Sequence, residues 1–338
     1  MHYSVLGAGS WGTALAIRLA QNGHEVTLWT HRAEQAVTLQ NERRNARYLP
    51  DAAFPDGLQI TSELHEAGNV DRVLLAIPSA AFADTLAALK PHLKNHTPVL
   101  WATKGFAQGG RLLHEIVAEH LPASQPRGAL SGPTFAAEVA RGLPTAITLA
   151  LDHTVAAPDM EALAQTLAQE FHSPTFRCYT NPDLIGVEIG GAIKNVLAIA
   201  AGIADGLGFG ANARTALITR GLAEMMRLGA ALGAKAETFM GLAGLGDLVL
   251  TCTDDQSRNR RFGLALGRGN NAMDAKASID QVIEGAETAQ QAWQLAQQHG
   301  VEMPITEQVV RVIAGEITPR DAVAALLQRD PKSETTGA

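Results

Sequence analysis

Residues 5–16 read Val-Leu-Gly-Ala-Gly-Ser-Trp-Gly-Thr-Ala-Leu-Ala, and this segment indicates the architecture of the N-terminal part of the chain. An apolar strand ends near Leu6 and is followed at once by the pattern Gly-x-Gly-x-x-Gly and a helix. In this context Gly7 permits the tight turn, Gly9 lets the backbone approach a pyrophosphate, and Gly12 lets the helix pack closely on the strand. Because the first N–H groups of a helix bind anions, the sequence predicts a dinucleotide site here.

The second predicted strand, residues 24–29, ends where an NAD-specific enzyme usually carries an acidic ligand for the ribose. This strand runs instead into Thr30-His31-Arg32, and Glu34 belongs to the helix that follows. An imidazole at His31 and a guanidinium at Arg32 suit a 2′-phosphate, so we expect the protein to accept NADPH as well as NADH. The alternative is that Arg32 is only a solvated residue at the start of a helix.

Short apolar runs alternate with helical stretches over residues 1–180, which is typical of a mostly parallel sheet covered on both faces. The predicted strands are 2–6, 24–29, 72–77, 97–102, 127–130, 144–150 and 174–179. After Asn181-Pro182 the pattern is helical, with further helices expected over 212–232, 236–250, 285–299 and 304–314. We therefore predict a doubly wound α/β domain of the Rossmann type over 1–180, an all-α substrate and catalytic domain over 181–330, and a polar tail over 331–338.

Length, charge and the first residues restrict the class of protein. A chain of 338 residues is long enough for two domains, and its net charge of −7 argues against a general nucleic-acid binder. Met1-His2-Tyr3 leads directly into a predicted core strand, so we expect no secretory signal and a cytoplasmic protein. The apolar segment 184–204 is interrupted by Glu188, Lys194 and Asn195, which favours a buried helix over a membrane span.

Cys178 and Cys252 are far apart and lack the spacing of metal ligands. We expect both to be reduced, structural thiols. No cluster of His and Cys indicates a metal, so none is predicted.

Ligands of parallel sheets collect at the carboxyl ends of the strands. The predicted strands end at Pro78-Ser79, at Thr103-Lys104-Gly105 and at Ser131-Gly132-Pro133-Thr134-Phe135. One cation and several small hydrogen-bonding residues are therefore expected near the nicotinamide and the substrate. Each of these ends can also be ordinary turn chemistry, and for Ser79 alone we favour that interpretation.

Lys194 lies in the most apolar helix of the second domain. Burial of an ammonium is costly unless it is paired or loses its proton, and a lysine with a lowered pKa can act as a base near neutral pH. Since perturbed ionisable groups concentrate at functional sites, we predict a catalytic role. The alternative is a lysine whose amine extends from a buried helix to solvent.

A second polar cluster follows the glycine-rich segment 241–246. Asp247 is suited to orient a neighbouring lysine, while Ser257, Arg258 and Asn259 supply donors for a phosphate or for hydroxyl oxygens. An exposed, charged loop is the alternative interpretation.

Together these motifs resemble the bacterial NAD(P)-dependent glycerol-3-phosphate dehydrogenase family over nearly the whole chain. The resemblance rests on the segments 7–12, Arg47-Tyr48-Leu49-Pro50, 102–105, 131–136, 191–195, 244–248, 257–261 and 282–285, all in family order. It implies reversible reduction of dihydroxyacetone phosphate, a small phosphate ester, to sn-glycerol 3-phosphate for glycerophospholipid synthesis. It also implies a homodimer.

The same resemblance implies roles for individual residues, with Lys194 as the general acid and base. The implied substrate-binding residues are Lys104, Gly132, Thr134, Lys194, Asp247, Ser257, Arg258 and Asn259. The implied cofactor-binding residues, beside Gly7, Gly9, Gly12 and Arg32, are Ser10, Trp11, His31, Tyr48, Lys104, Ala136, Arg258, Val282 and Glu284. Many relatives carry serine where this chain has Thr134, a difference that keeps the hydroxyl.

Two other functions remain open from the residues alone. A hydroxyacid or hydroxyacyl dehydrogenase also couples a dinucleotide-binding domain to a helical domain, but its substrate carries a carboxylate or thioester. A cofactor-binding sensor without catalysis is the other, and the presence of both Lys194 and Asp247 argues against it.

Overall fold

The computed structural model describes residues 1–156, 159–279 and 282–330. The predicted polar tail, 331–338, lies outside the described residues. The chain forms two compact units: Met1–Ala107 with Arg111–Leu184, and Gln108–Gly110 with the chain from Ile185 onward. The first unit thus extends a few residues past the predicted domain end at residue 180.

The first unit is built on a sheet in which eight strands lie in the order β10-β9-β8-β7-β6-β1-β2-β5. The strands are β1 His2–Leu6, β2 Glu25–Trp29, β3 Arg44–Asn45, β4 Leu49–Ala53, β5 Leu58–Thr61, β6 Arg72–Leu75, β7 Val99–Trp101, β8 Arg127–Ser131, β9 Thr145–Leu151 and β10 Phe176–Asn181. Neighbours are parallel except β8 and β9, which are antiparallel, and β3 pairs with β4 in a separate hairpin.

Helices connect these strands. They are α1 Ser10–Gln21, α2 Ala33–Glu42, α3 Leu64–Gly68, α4 Phe82–Leu89, α5 Leu113–His120, α6 Ala136–Ala140 and α7 Met160–Phe171. Every residue of β7 and β8 is buried. Because successive side chains of a strand point to opposite faces, both faces of the sheet are covered there. The predicted doubly wound, mostly parallel architecture is confirmed.

The second unit is helical in the residues that the structure describes. Its helices are α8 Leu184–Gly206, α9 Ala211–Ala231, α10 Ala236–Phe239, α11 Asp247–Thr253, α12 Arg258–Gly267, α13 Ala272–Ala277, α14 Glu284–Gln298, α15 Pro304–Ile313 and α16 Pro319–Leu327. The prediction of one helix over 236–250 is wrong, because a π-helical segment, Leu242–Gly246, separates α10 from α11. The glycines at 241, 244 and 246 explain the interruption, since glycine weakens an α-helix.

Helix α8 is long and apolar enough to span a membrane by length and composition, with a mean hydropathy of 1.6 over its best window. However, 94% of that window is buried inside the protein, as in the core helix of a soluble domain. Glycines let α12 approach it closely: a Cβ on Gly202 would lie 2.1 Å from the Arg260 carbonyl oxygen, and one on Gly263 would lie 2.1 Å from that of Ile199. Backbone-to-backbone packing of this kind tolerates no side chain.

Candidate functional site

The turn between β1 and α1 has the geometry of a phosphate cradle. Gly7 has a φ of +118°, and a Cβ there would lie 2.4 Å from the Ala76 carbonyl oxygen, so only glycine suits the position. A Cβ on Gly12 would lie 2.0 Å from the carbonyl oxygen of Gly7, whereas one on Gly9 would meet nothing within 4 Å. Gly9 is the N-cap of α1, so no side chain caps the first N–H groups of the helix, and the first turn contains no acidic residue. The backbone at Ser10, Trp11 and Gly12 therefore suits a pyrophosphate.

Two side-chain amides fix this turn through one carbonyl group. The Ala8 carbonyl oxygen accepts hydrogen bonds from Gln35 Nε2 and from Asn45 Nδ2, each at 3.1 Å. Asn45 is buried and also donates to the Thr13 hydroxyl at 2.9 Å, which joins the hairpin to the first helix. Sequence reasoning missed both amides, because their partner is a backbone oxygen distant in sequence.

The residues predicted for the ribose end lie at the start of α2. His31 and Arg32 are exposed, and Arg32 is the N-cap of the helix. Its Nη2 donates to Gln35 Oε1 at 3.1 Å, which connects the guanidinium to the turn at Ala8. Tyr48 is half-buried beside the guanidinium of Arg47, which lies 5.3 Å from the centre of its ring.

Three of the residues predicted at the strand ends lie together. Lys104 Nζ donates to the Gly132 carbonyl oxygen at 3.4 Å, and the Thr134 hydroxyl donates to the same oxygen at 3.1 Å. Ala136 follows as the first residue of α6. The loops after β7 and β8 thus place an ammonium and a hydroxyl beside each other.

In the second unit, Lys194 is buried and paired. Its Nζ lies 2.6 Å from Asp247 Oδ1 and 3.1 Å from the Thr251 hydroxyl oxygen, and the two charged side chains are 9% and 1% exposed. Thr251 in turn donates to the Asp247 backbone carbonyl at 2.6 Å. The prediction that Asp247 neighbours a lysine therefore agrees with the structure. Thr251 was missed, although its spacing of one helical turn from Asp247 is the usual signal for a shared face.

Lys194 and Asp247 come together because the backbone of α8 lies close to the backbone of the π-helical segment. A Cβ on Gly190 of α8 would lie 2.3 Å from the carbonyl oxygen of Ala243, in the π-helical segment that precedes Asp247. Gly190 lies one turn before Lys194 on the same helix, so its contact brings the lysine to the start of α11.

The thiol next to this pair is poorly suited to act as a nucleophile. Cys252 is fully buried, and burial raises the pKa of its thiol to about 12. The half-buried Cys178 of the first unit also has its pKa raised by burial, to about 12. A neutral thiol reacts poorly, so structural roles suit both residues. In the described ranges no group of three or more His, Cys, Asp or Glu could hold a metal ion.

The predicted anion-binding residues occupy the start of α12. Ser257 is its N-cap and accepts from the Arg260 backbone N–H at 3.2 Å, while Arg258 is half-buried in the first turn. Asn259 Oδ1 accepts from the Gly285 backbone N–H at 3.0 Å, which ties this turn to the start of α14. Glu284 is the first residue of α14, and Val282 is 56% exposed just before it. Val282 and His31 are both exposed.

Arg260 holds the same turn in place and had no predicted role. Its Nη1 lies 2.5 Å from Asp205 Oδ2 at the end of α8 and 3.2 Å from the Cys252 carbonyl oxygen, and its Nε lies 2.9 Å from Asp255 Oδ1. Asp205 also accepts from Arg214 Nη1 at 2.7 Å. One buried guanidinium thus joins the helix of Lys194, the end of α11 and the start of α12.

Comparison with known proteins covers both units. Residues 2–157 match the family model described as the N-terminus of NAD-dependent glycerol-3-phosphate dehydrogenase, and residues 183–324 match the model of its C-terminus. The chain is 55% identical over 334 residues to the NAD(P)+ glycerol-3-phosphate dehydrogenase of Pseudoalteromonas translucida (strain TAC 125), covering 98% of both chains.

Solved structures give the same result. The glycerol-3-phosphate dehydrogenase of Coxiella burnetii is 48% identical with a TM-score of 0.92, and the match covers 97% of this chain and 99% of that one. The enzyme of Saccharomyces cerevisiae is 26% identical with a TM-score of 0.82, over 97% and 99% of the two chains.

Proposed function

The chain belongs to the NAD-dependent glycerol-3-phosphate dehydrogenase family, and we propose that Lys194 is the general acid and base of its reaction. The protein is an NAD(P)-dependent oxidoreductase acting on a CH–OH group, and its cofactor is NADH or NADPH. The observation that carries the proposal is the ion pair of Lys194 with Asp247 inside an apolar helical core, 2.6 Å between Nζ and Oδ1.

In the biosynthetic direction the substrate is dihydroxyacetone phosphate and the product is sn-glycerol 3-phosphate. The nicotinamide, when bound, supplies the hydride that C2 receives. Lys194 gives a proton to the oxygen on C2 as negative charge develops there, and in the reverse direction it takes that proton back. The carboxylate of Asp247 favours the ammonium form of the lysine, which is the form that a proton donor needs.

The remaining predicted residues bind and orient the substrate. Lys104 is suited to polarise the C2 carbonyl, with Gly132 and Thr134 beside it. Arg258 is suited to bind the phosphate, helped by Ser257 and Asn259, so that binding far from C2 orients the reacting carbon. Asp247 also balances the positive charge of Lys194.

The cofactor roles follow the same division. The backbone from Gly7 to Gly12 would bind the pyrophosphate, and His31, Arg32 and Tyr48 would bind the adenosine end. Lys104, Ala136, Arg258, Val282 and Glu284 complete the proposed set. We further propose a homodimer in the cytoplasm whose product enters glycerophospholipid synthesis.

A substrate comparison tests the proposal. The loss of NADPH or NADH absorbance is measured after adding dihydroxyacetone phosphate, unphosphorylated dihydroxyacetone or a 3-keto acid. We expect rapid turnover with the phosphate ester alone, and a kcat/KM lower by a factor of at least about 1000 for dihydroxyacetone, because the phosphate supplies orientation at C2. Turnover of the keto acid instead would indicate a hydroxyacid dehydrogenase. Cofactor binding without turnover of any of them would favour a sensor.

A further inference from the structure

Gln35 uses both ends of its side chain amide in a bridge between two parts of the proposed cofactor site. Its Nε2 donates to the Ala8 carbonyl oxygen at 3.1 Å, inside the glycine turn. Its Oε1 accepts from the Thr30 hydroxyl at 2.7 Å and from Arg32 Nη2 at 3.1 Å. The pyrophosphate turn and the arginine at the ribose end are therefore joined by one side chain.

We propose that Gln35 is a positioning residue that determines specificity for the 2′-phosphate of NADPH by holding Arg32 at a fixed place relative to the pyrophosphate turn. This inference rests on the proposed roles of the glycine turn and of Arg32 in cofactor binding. Gln35 itself has no assigned contact with the cofactor.

The chemistry of the three partners matches a glutamine. The Ala8 carbonyl needs a donor, whereas Thr30 and Arg32 need an acceptor, and a primary amide of this length provides both. Glutamate would put a carboxylate oxygen against the carbonyl of Ala8, and leucine would satisfy none of the three. The backbone position of Gln35 is also fixed. Gln35 lies in the first turn of α2, and the buried residues Ala36 and Leu39 anchor this helix to the core.

The bridge matters because Arg32 is exposed. A free arginine loses much rotamer entropy when it binds a ligand, and a neighbour that orders the guanidinium beforehand lowers that loss. Thr30 is buried and its hydroxyl oxygen lies 3.5 Å from the Arg32 backbone N–H, so the arginine is held near both its backbone and its side chain. Asn45 also donates to the Ala8 carbonyl oxygen, so we expect the turn to stay in place when Gln35 is changed.

Adenosine fragments test the proposal without catalysis. The affinities of 2′,5′-ADP and 5′-AMP are measured by calorimetry for the wild-type chain, Gln35→Leu, Gln35→Glu and Arg32→Ala. The wild-type chain should prefer 2′,5′-ADP. Gln35→Leu should reduce that preference by about threefold to tenfold and Gln35→Glu by more than about tenfold, since the latter adds a negative charge beside the phosphate. Gln40→Glu, which makes the same change at an exposed position of α2, should retain the wild-type preference.

A double variant separates positioning from general damage to the fold. If Gln35 acts through Arg32, then Gln35→Leu should reduce the preference in the wild-type chain and have no further effect on it in Arg32→Ala. An unchanged preference in both Gln35 variants, or an equal reduction in the Arg32→Ala background, would overturn the proposal. If the fragments behave as expected and dihydroxyacetone phosphate is not turned over, the proposed reaction fails while the role of Gln35 stands.

Discussion

One buried side-chain amide, that of Asn45, connects three parts of the first unit. It is 2% exposed, and its Nδ2 donates to both the Ala8 carbonyl oxygen and the Thr13 hydroxyl. These bonds join the hairpin of β3 and β4 to the turn and to α1. The motif around Tyr48 indicated a functional region. It could not indicate that the nearby Asn45 donates a hydrogen bond to the glycine turn between β1 and α1.

Replacement of Asn45 by aspartate should destabilise the first unit. The variant loses two donors and puts a carboxylate against a carbonyl oxygen in a buried place, so we expect a loss of about 2–4 kcal/mol in the free energy of unfolding. Urea unfolding measures it, with the exposed Asn69→Asp as the matched control. Equal stability of the two variants would show that the amide bonds of Asn45 contribute little.

The contact between helices α8 and α12 determines where the proposed catalytic and anion-binding residues of the second unit lie. Gly202 and Gly206 of α8 face Gly263 and Gly267 of α12, and a Cβ on any of the four would lie 2.1–2.6 Å from a backbone oxygen of the other helix. Lys194 lies on the first helix, while Arg258 and Asn259 begin the second. Their separation is therefore set by glycine packing.

An alanine at Gly263 should push the two helices apart. Its Cβ would lie 2.1 Å from the Ile199 carbonyl oxygen. The energetic cost of this overpacking should exceed the gain of roughly 1 kcal/mol from the higher helix propensity of alanine. We therefore expect a net loss of about 1–3 kcal/mol in the free energy of unfolding. Thermal unfolding of Gly263→Ala is compared with Gly210→Ala, where a Cβ meets nothing within 4 Å. A variant as stable as this control would contradict the role given to the glycine contact.

Prediction from sequence succeeded where a pattern is local. The apolar runs gave β1, β2 and β6, and the hydrophobic composition of residues 184–204 indicated a buried helix, as α8 is. The short strand β5 was missed because Leu58-Gln59-Ile60-Thr61 has only two strongly apolar residues after a turn. The π-helical segment was missed, although Gly241, Gly244 and Gly246 are a signal in the sequence for an interrupted helix.

The chain divides into two compact units, and each contains one set of the proposed functional residues. The first contains the glycine turn, Arg32 and Lys104, and the second contains the Lys194–Asp247 pair and the start of α12. Both sets were predicted from residue chemistry. That chemistry could not establish the contact between Lys194 and Asp247, which are 53 residues apart in sequence, because that contact depends on tertiary packing.

Replacing Lys194 with methionine tests whether this lysine transfers the proton. Because Lys194→Met leaves the buried Asp247 unpaired, Lys194→Met/Asp247→Asn is measured beside it as a variant without that unpaired charge. In both we expect NADPH to bind with wild-type affinity and kcat for dihydroxyacetone phosphate reduction to fall by a factor of about 100 to 10,000. A folded variant that binds NADPH and retains kcat within a few-fold of the wild-type value would show that Lys194 does not transfer the proton.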